Sequence, residues 1–423
     1  MIDSARVKIF GRTAGYVRWD ERRGVSSFSY DESFLASGLD LSPLMMPLRK
    51  GVYSFPGLSE STYKGLPGLM ADSLPDTYGR AMLDRWLALQ GRTAANPVES
   101  LCYMGTRCMG ALEYEPAIMT DRKDHLFEID SLVDVARQAL SAKEDFITNI
   151  DDDRRQAIAD ILMLGTSAGG QRAKALIAWN RQTGEIRSGQ VEAPEGFGYY
   201  LIKLDGVSAK AGMKETGNFG RLEYSFYKTA RTAGIDMTFC DLIEENGRAH
   251  FITERFDRNA GHKIHMQTLC GIAHYDFGMM RTYSYEQAFG VMRRLGLSNA
   301  EMRQQFRRVV FNVVIRNQDD HTKNISFLMD DSGRWSLSPA YDMGFAYNPQ
   351  GQWTAMHQMS VGGKFDGIGR SDLLELASRN DVKDAGAIID EVVEAVSGWR
   401  QEALNCGVPE SMIQGCSKYF SSL

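Results

Sequence analysis

The chain has 423 residues, 43% of them hydrophobic and 24% charged, with a formal net charge of −6. That length and balance predict two or three globular domains with sizeable cores. The acidic excess argues against an autonomous nucleic-acid binder, which would carry a basic domain. No apolar run reaches the roughly 20 residues that a membrane-spanning helix needs, and Met1-Ile2-Asp3-Ser4-Ala5-Arg6 has none of the apolar core of a secretory signal. The six cysteines are scattered, and Cys102 and Cys108, the only close pair, have no neighbouring His or Cys to complete a zinc site. Reduced, buried thiols in a cytosolic protein fit this usage.

In chain order, residues 7–10, 16–19 and 27–30 alternate as short strands of an antiparallel meander with one wet face. Gly57, Gly65 and Gly68, with Pro56 and Pro67, mark an irregular connection. Leu74-Pro75 opens a helix running to about residue 90, whose stripe of Tyr78, Met82, Leu83, Trp86 and Leu87 reads as core. Residues 97–115 predict a short helix and a glycine-punctuated strand. Further helices span about 131–142, capped by Asp130 or Ser131, and the stretch after Asp151-Asp152-Asp153. That acidic triplet suits a helix N-terminus better than a metal.

Gly165 and Gly170 have the G-x-x-x-x-G spacing of a P-loop, but Gln171-Arg172 stands where Lys-Ser/Thr is required, so this is no Walker A motif. Two readings stay open: a plain loop, or a glycine-rich segment offering backbone N–H groups to phosphates before the strand 175–179. The strand 199–204 carries Lys203. A lone Lys in a strand usually snorkels to water, yet the order glycine-rich hairpin, strand Lys, helix Glu is that of a kinase N-lobe. Glu223, in the helix predicted over 219–233, is a candidate ion-pair partner, although a Glu on a helix is more often simply solvated. Strand 249–253 runs into Glu254-Arg255-Phe256-Asp257-Arg258, where a kinase places its hinge. From Leu269 the chain turns mainly helical, over about 285–295, 299–316, 371–379 and 387–405.

Asp319 and Asn324 in Arg316-Asn317-Gln318-Asp319-Asp320-His321-Thr322-Lys323-Asn324 have the D-x-x-x-x-N spacing of a kinase catalytic loop, in which the Asp receives the hydroxyl proton and the Asn holds Mg²⁺. Asp342 follows a strand, Ile325–Met329, and a turn at Asp330-Asp331-Ser332-Gly333, as the second metal-binding carboxylate would. Asp-Asp and Asn-rich loops more often cap helices or make turns. Here His321 and Lys323 inside the loop, and the Pro-Ala-Tyr-Asp run after it, favour chemistry.

Taken together, Gly65-Leu66-Pro67-Gly68, Asp72-Ser73-Leu74-Pro75-Asp76, Gly169-Gly170-Gln171-Arg172-Ala173-Lys174, Leu201-Ile202-Lys203, Glu254 to Arg258, Asn317 to Asn324, Tyr341-Asp342 and Ser360-Val361-Gly362-Gly363-Lys364 carry a family likeness. Over essentially its whole length the chain resembles the HipA-type serine/threonine kinases, the toxin halves of bacterial HipA–HipB toxin–antitoxin pairs. The resemblance implies an α+β, bilobed protein-kinase-like fold: an extra N-terminal subdomain over 1–115, a strand-rich N-lobe over 116–258 and a mainly helical C-lobe over 259–423. It also implies ATP and Mg²⁺ as cofactors, with Asp319 as catalytic base and Asn324 and Asp342 as metal ligands. Lys203, Gly169, Gly170, Gln171, Arg172, Ala173 and Lys174 would lie at the phosphates, with His321, Thr322 and Lys323 beside them. Glu254, Arg255 and Phe256 would form the adenine hinge, and Tyr341 and Gln267 would line the nucleotide pocket. Ser167 would be the autophosphorylated, self-inactivating serine.

Two departures touch the glycine-rich loop: Arg172-Ala173 stands where Arg-Pro is common, and Gln171 replaces a small residue. As partners the resemblance implies a HipB-like helix-turn-helix antitoxin, DNA contact only through it, and a protein substrate, the family's best-known target being glutamyl-tRNA synthetase. The alternatives are a corepressor component of an antitoxin–DNA complex and a small-molecule phosphotransferase of the aminoglycoside-kinase type.

Overall fold

The computed structural model of the chain describes residues 2–75, 79–80, 83–84, 87, 91–92, 94–118, 126, 128–140, 172–189, 192–208, 217–259 and 261–423. Most of the helix expected after Pro75, the acidic triplet at 151–153, Ser167 and the glycines 169 and 170 with Gln171 lie outside those residues.

The first sheet is antiparallel, in the order β3-β2-β1-β4, from β1 (Ser4–Ile9), β2 (Arg12–Asp20), β3 (Val25–Tyr30) and β4 (Glu113–Glu115). Every second residue of β1 (Ala5, Val7, Ile9) is buried, so the expected one-sided alternation holds. Helix α1 (Pro97–Met104) packs nearby. Its start is set by Pro97 at the first turn and by Asn96, whose side chain accepts from the Glu99 N–H at 2.8 Å. Helix α2 (Ile129–Leu140) follows.

A second antiparallel sheet has the order β6-β5-β7-β9-β8, from β5 (Arg172–Trp179), β6 (Ile186–Ser188), β7 (Gly198–Ser208), β8 (Cys240–Glu245) and β9 (Arg248–Glu254). Helix α3 (Phe219–Thr232) lies against it. The approach is close because Gly220 has no side chain: a Cβ there would meet the Ala249 carbonyl oxygen at 1.9 Å.

The remaining chain is mainly helical, as expected: α4 (Leu269–Ala273), α5 (Tyr285–Arg294), α6 (Asn299–Ile315), α7 (Arg370–Arg379), α8 (Ala385–Ser397), α9 (Trp399–Asn405) and α10 (Glu410–Ser417). The helix expected over 387–405 is two helices that meet at Gly398. Helix α10 and the strand β10 (His265–Thr268) were not foreseen. β10 pairs with β11 (Ser326–Met329), which pairs with β12 (Trp335–Leu337), so the hairpin leading to Asp342 belongs to a three-stranded antiparallel sheet. Ser298 and Glu301 form a capping box at the start of α6, and the second Glu301 oxygen accepts from the Leu337 N–H at 2.8 Å, tying the hairpin to the helix.

Together these elements form an α+β, bilobed, protein-kinase-like fold. One continuous buried cluster joins the first sheet to β5, β7 and Ile252 of β9; a second runs from Phe226 of α3 through Phe306, Phe311 and Trp399 to α10. The first 115 residues therefore share a core with the second sheet. All six cysteines are free and buried, and among the described residues no helix is long and apolar enough to cross a membrane.

A buried ion cluster fastens the chain after β9 to the loop after α1. Asp257, with a fully buried side chain, accepts from Arg255 Nε at 2.9 Å, Arg255 Nη2 at 2.8 Å, Arg258 Nη1 at 2.8 Å and the Gly110 N–H at 2.6 Å. Arg258 also donates to the carbonyls of Cys108 and Gly110, both at 3.0 Å. Burial pushes the Asp257 carboxyl up, but the two guanidiniums outweigh it and hold it well below the usual range; burial pulls Arg258 down to about 10. Asp257→Ala, by leaving two guanidiniums buried without their anion, should cost about 3–5 kcal/mol in denaturant unfolding. Gly220→Ala, by forcing α3 off β9, should cost about 1–3 kcal/mol by the same measurement.

Candidate active site

Lys203 lies on the central strand β7, directly opposite Lys174 of β5. Two ammonium groups facing one another across strands repel, so this face requires anions. Lys203 Nζ donates to Glu223 Oε1 of α3 and to Asp342 Oδ1 of the hairpin exit. Burial alone would pull the Lys203 ammonium down, but Asp342 and Glu223 outweigh it and hold the group above its ordinary range. Burial likewise pushes the Asp342 carboxyl up, while Lys203 and Lys174 prevail and keep it down, as the ionised form. The backbone of Asp342 is left-handed, with φ +53, a strained conformation of the kind that collects at functional sites.

The loop carrying Asp319 leaves α6 through Arg316, which is also left-handed, with φ +59. This end is held by the Asn317 N–H on the Asn312 carbonyl at 2.9 Å and by Arg316 over the Tyr347 ring at 4.4 Å. Asn317 Nδ2 donates to the Asp342 carbonyl at 3.1 Å, binding the loop to the hairpin exit. Asn324 Nδ2 donates to the Asp319 carbonyl at 2.8 Å, leaving its amide oxygen free to face the cleft. Asp319 Oδ1 accepts from Trp353 Nε1 at 2.5 Å. Burial pushes the Asp319 carboxyl up, against the opposing pull of His321 and the Trp353 N–H. His321 is 3.9 Å from Asp319, and burial pulls its imidazole below its ordinary range against the opposing effect of Asp319 and Asp342.

The neighbouring carboxylate has the opposite surroundings. Asp320, 1% exposed at its side chain, accepts from Tyr285 Oη at 2.7 Å and the Gln358 N–H at 2.7 Å, and pairs with His357 Nδ1 at 2.8 Å. It is an anchor, whereas the Asp319 side chain is 47% exposed.

Between the second sheet and the helical region lies a cleft that opens to solvent. Leu201, Phe251, Cys240, Met109, Phe256 and Met343 give it an apolar end suited to a flat ring; Lys203, Lys323, Asn324 and Asp342 give it a charged end. Asp342 and the Asn324 oxygen are the hard oxygen donors that Mg²⁺ takes, with room left for phosphate oxygens.

Most of the expected site residues converge here: Asp319, His321, Asn324 and Lys174 at the charged side, and Lys203, Lys323, Tyr341, Asp342, Glu254 and Phe256 along the cleft. Ala173 is buried in β5 next to Lys174, and Arg172 opens that strand. Two expected side chains, those of Gln267 and Thr322, lie away from the cleft. The Gln267 side chain turns away, donating to the Leu41 carbonyl and contacting His265, because alternate residues of β10 face opposite sides; Met266 and Thr268 line the cleft instead. The Thr322 hydroxyl is buried on the Tyr275 carbonyl at 2.6 Å. Arg255 lies in the cleft wall between Glu254 and Phe256, with its guanidinium held by Asp257, and the N–H groups of Glu254 and Arg255 bond the Phe239 and Tyr199 carbonyls, both at 2.8 Å.

Sequence reasoning missed Trp353, Asp320, His357 and Asp72. Only Trp353, a lone large aromatic in a Gly/Gln/Asn-rich stretch, left a trace.

Comparison with known proteins agrees with this architecture. Residues 166–399 match the family model of the HipA-like C-terminal domain, and residues 5–115 match that of the HipA N-terminal domain. Two Sinorhizobium fredii proteins are similar. "Putative kinase Y4dM" is 28% identical over 197 residues, 42% of this chain and 46% of that protein. "Putative kinase Y4mE" is 28% identical over 126 residues, 27% of this chain and 30% of that protein. The matched part is thus less than half of either relative. Among solved structures, HipA of Shewanella oneidensis MR-1, determined in complex with HipB and its operator DNA, superposes with a TM-score of 0.65 at 16% identity, covering 98% of this chain and 95% of that one. With its C-terminal model spanning more than half of the sequence, the chain belongs to the HipA family.

Proposed function

We propose that this chain is an ATP- and Mg²⁺-dependent protein serine/threonine kinase and the toxin of a toxin–antitoxin pair. The observation that carries the reading is the meeting of Lys203, Glu223 and Asp342 in one partly buried ion group, with Asp319 and Asn324 on the facing loop. Strand, helix, loop and hairpin each supply one member, and phosphoryl transfer needs little else than such positioning and charge.

In this reading the apolar end of the cleft takes the adenine, and Lys203 and Lys174 hold phosphate oxygens. Asn324 and Asp342 hold Mg²⁺, which supplies charge neutralisation at the phosphates. Asp319 receives the proton of the acceptor hydroxyl, with His321 beside it. The same reading divides the chain into a HipA N-terminal subdomain to 115, an N-lobe to 258 and a C-lobe to 423. It places the protein in the bacterial cytoplasm, restrained by a HipB-like helix-turn-helix antitoxin that carries the DNA contact. Its target is a protein of translation, of the aminoacyl-tRNA synthetase class, and phosphorylation of Ser167 silences it.

Incubation of the purified chain with γ-labelled ATP and Mg²⁺ should label the chain itself at Ser167, as read by mass spectrometry. Asp319→Asn should slow transfer by about 10²–10⁴-fold and relieve growth arrest on expression. Wild-type transfer or full toxicity in that variant contradicts the reading, and label found only on an added metabolite would favour a small-molecule phosphotransferase. Asp342→Asn should weaken Mg²⁺–nucleotide binding by about tenfold to a hundredfold, as expected when a charge-assisted contact is lost; calorimetry measures it, and unchanged affinity would remove Asp342 from the metal site.

A further inference from the structure

The segment 344–358 after Asp342 touches both consecutive aspartates of the loop. At its far end, the Gln358 N–H and His357 Nδ1 bind Asp320. Gln358 Nε2 also donates to the Trp353 carbonyl at 2.5 Å, which holds the backbone from which the indole projects. From there Trp353 Nε1 reaches Asp319 Oδ1 at 2.5 Å, with its ring 6.2 Å from that of His321. The backbone of Asp319 is held independently, by Asn324 Nδ2 at 2.8 Å and the His321 N–H at 2.9 Å on its carbonyl. What that leaves loose is the terminal torsion of the carboxylate, which is intrinsically broad. Among the described residues, the indole N–H is the hydrogen-bond donor to the Asp319 carboxylate, and Oδ2 receives none.

We infer that Trp353 is a positioning residue for phosphoryl transfer: by holding Oδ1, it sets the plane of the Asp319 carboxylate and presents Oδ2 to the acceptor hydroxyl. The inference rests on the kinase reading above. In the step it serves, the hydroxyl oxygen bonds to the γ-phosphorus of ATP, and the bond from that phosphorus to the β–γ bridging oxygen breaks. The electron pair of that bond leaves on ADP, and the hydroxyl proton passes to Oδ2. A carboxylate free to turn would spend part of its time with neither oxygen aligned, and misplacement on the scale of 1 Å costs about a hundredfold. The indole is supplied by the segment 344–358, so the base is aligned only while that segment is in place.

The test compares Trp353→Phe, which keeps a ring and loses the N–H, with Trp353→His, whose Nε2 superposes on the indole Nε1. Initial rates of transfer from ATP to the chain itself are measured with ATP varied. W353F should lower kcat roughly tenfold to a hundredfold, leave KM for ATP unchanged and keep wild-type Mg²⁺–nucleotide affinity. W353H should recover most of kcat. Equal losses in the two variants would show packing alone, and a W353F rate at or above that of the wild type would show the indole to be idle or obstructive; either result overturns the inference. If W353F melts below the assay temperature, Gln358→Met, which frees the Trp353 carbonyl, should lower kcat in the same direction with KM unchanged; an unchanged kcat there overturns the inference too. A wild-type chain without any transfer defeats the kinase reading and this inference together, whereas an active wild type matched by W353F defeats the inference alone.

Discussion

Everything in the cleft is arranged around the need to neutralise Lys203. Its ammonium is largely withdrawn from water, which is unfavourable without an anion, and it faces Lys174 across the sheet. Glu223 and Asp342 meet the need from opposite sides, one from α3 and one from the hairpin exit. The second sheet, the helix beside it and the helical region are thus registered on a single nitrogen. Gly220 lets α3 come close enough, and the left-handed turn at Asp342 aims its carboxylate. The strain of that turn is outweighed by the ion pair it makes possible.

A second constraint holds the loop itself. Asp320 is saturated by donors from α5 and from the segment at 357–358, and Asn317 links α6 to the hairpin exit, so the loop is fixed before any substrate arrives. The N-terminal region adds to this. Asp72 accepts from the Thr268 N–H at 2.8 Å and the Thr268 hydroxyl at 2.9 Å. Burial pushes the Asp72 carboxyl up, and the nearby Lys323 opposes that rise. Gly271 lies so close that a Cβ would meet Asp72 Oδ2 at 2.1 Å. The first 115 residues therefore brace β10, and through Asp72 lie near Lys323 of the loop, beyond sharing a core with the sheet.

Much of this could be read in the sequence, and the rest could not for identifiable reasons. Lys203, Glu223, Asp319, Asn324 and Asp342 announce themselves by order and spacing, because strand, helix and loop must follow one another in that sequence to bring them together. The major helices show through their 3.6-residue stripes. Gln267 and Thr322 were misjudged because which side of a two-residue period faces the cleft depends on the register of β10 and on the tight turn at 322–324. Trp353 and His357 act from a segment without periodicity, through contacts with residues more than thirty positions away. The break at Gly398 was hidden because apolar residues continue on both sides of it.

The most direct measurement is a crystal structure of the chain soaked with Mg²⁺ and a non-hydrolysable ATP analogue. The account predicts the purine between Leu201 and Met343, the metal on Asp342 and the Asn324 oxygen, and Lys203 still paired with Glu223 while it touches a phosphate. An analogue bound elsewhere, or a metal that contacts neither Asn324 nor Asp342, would contradict it.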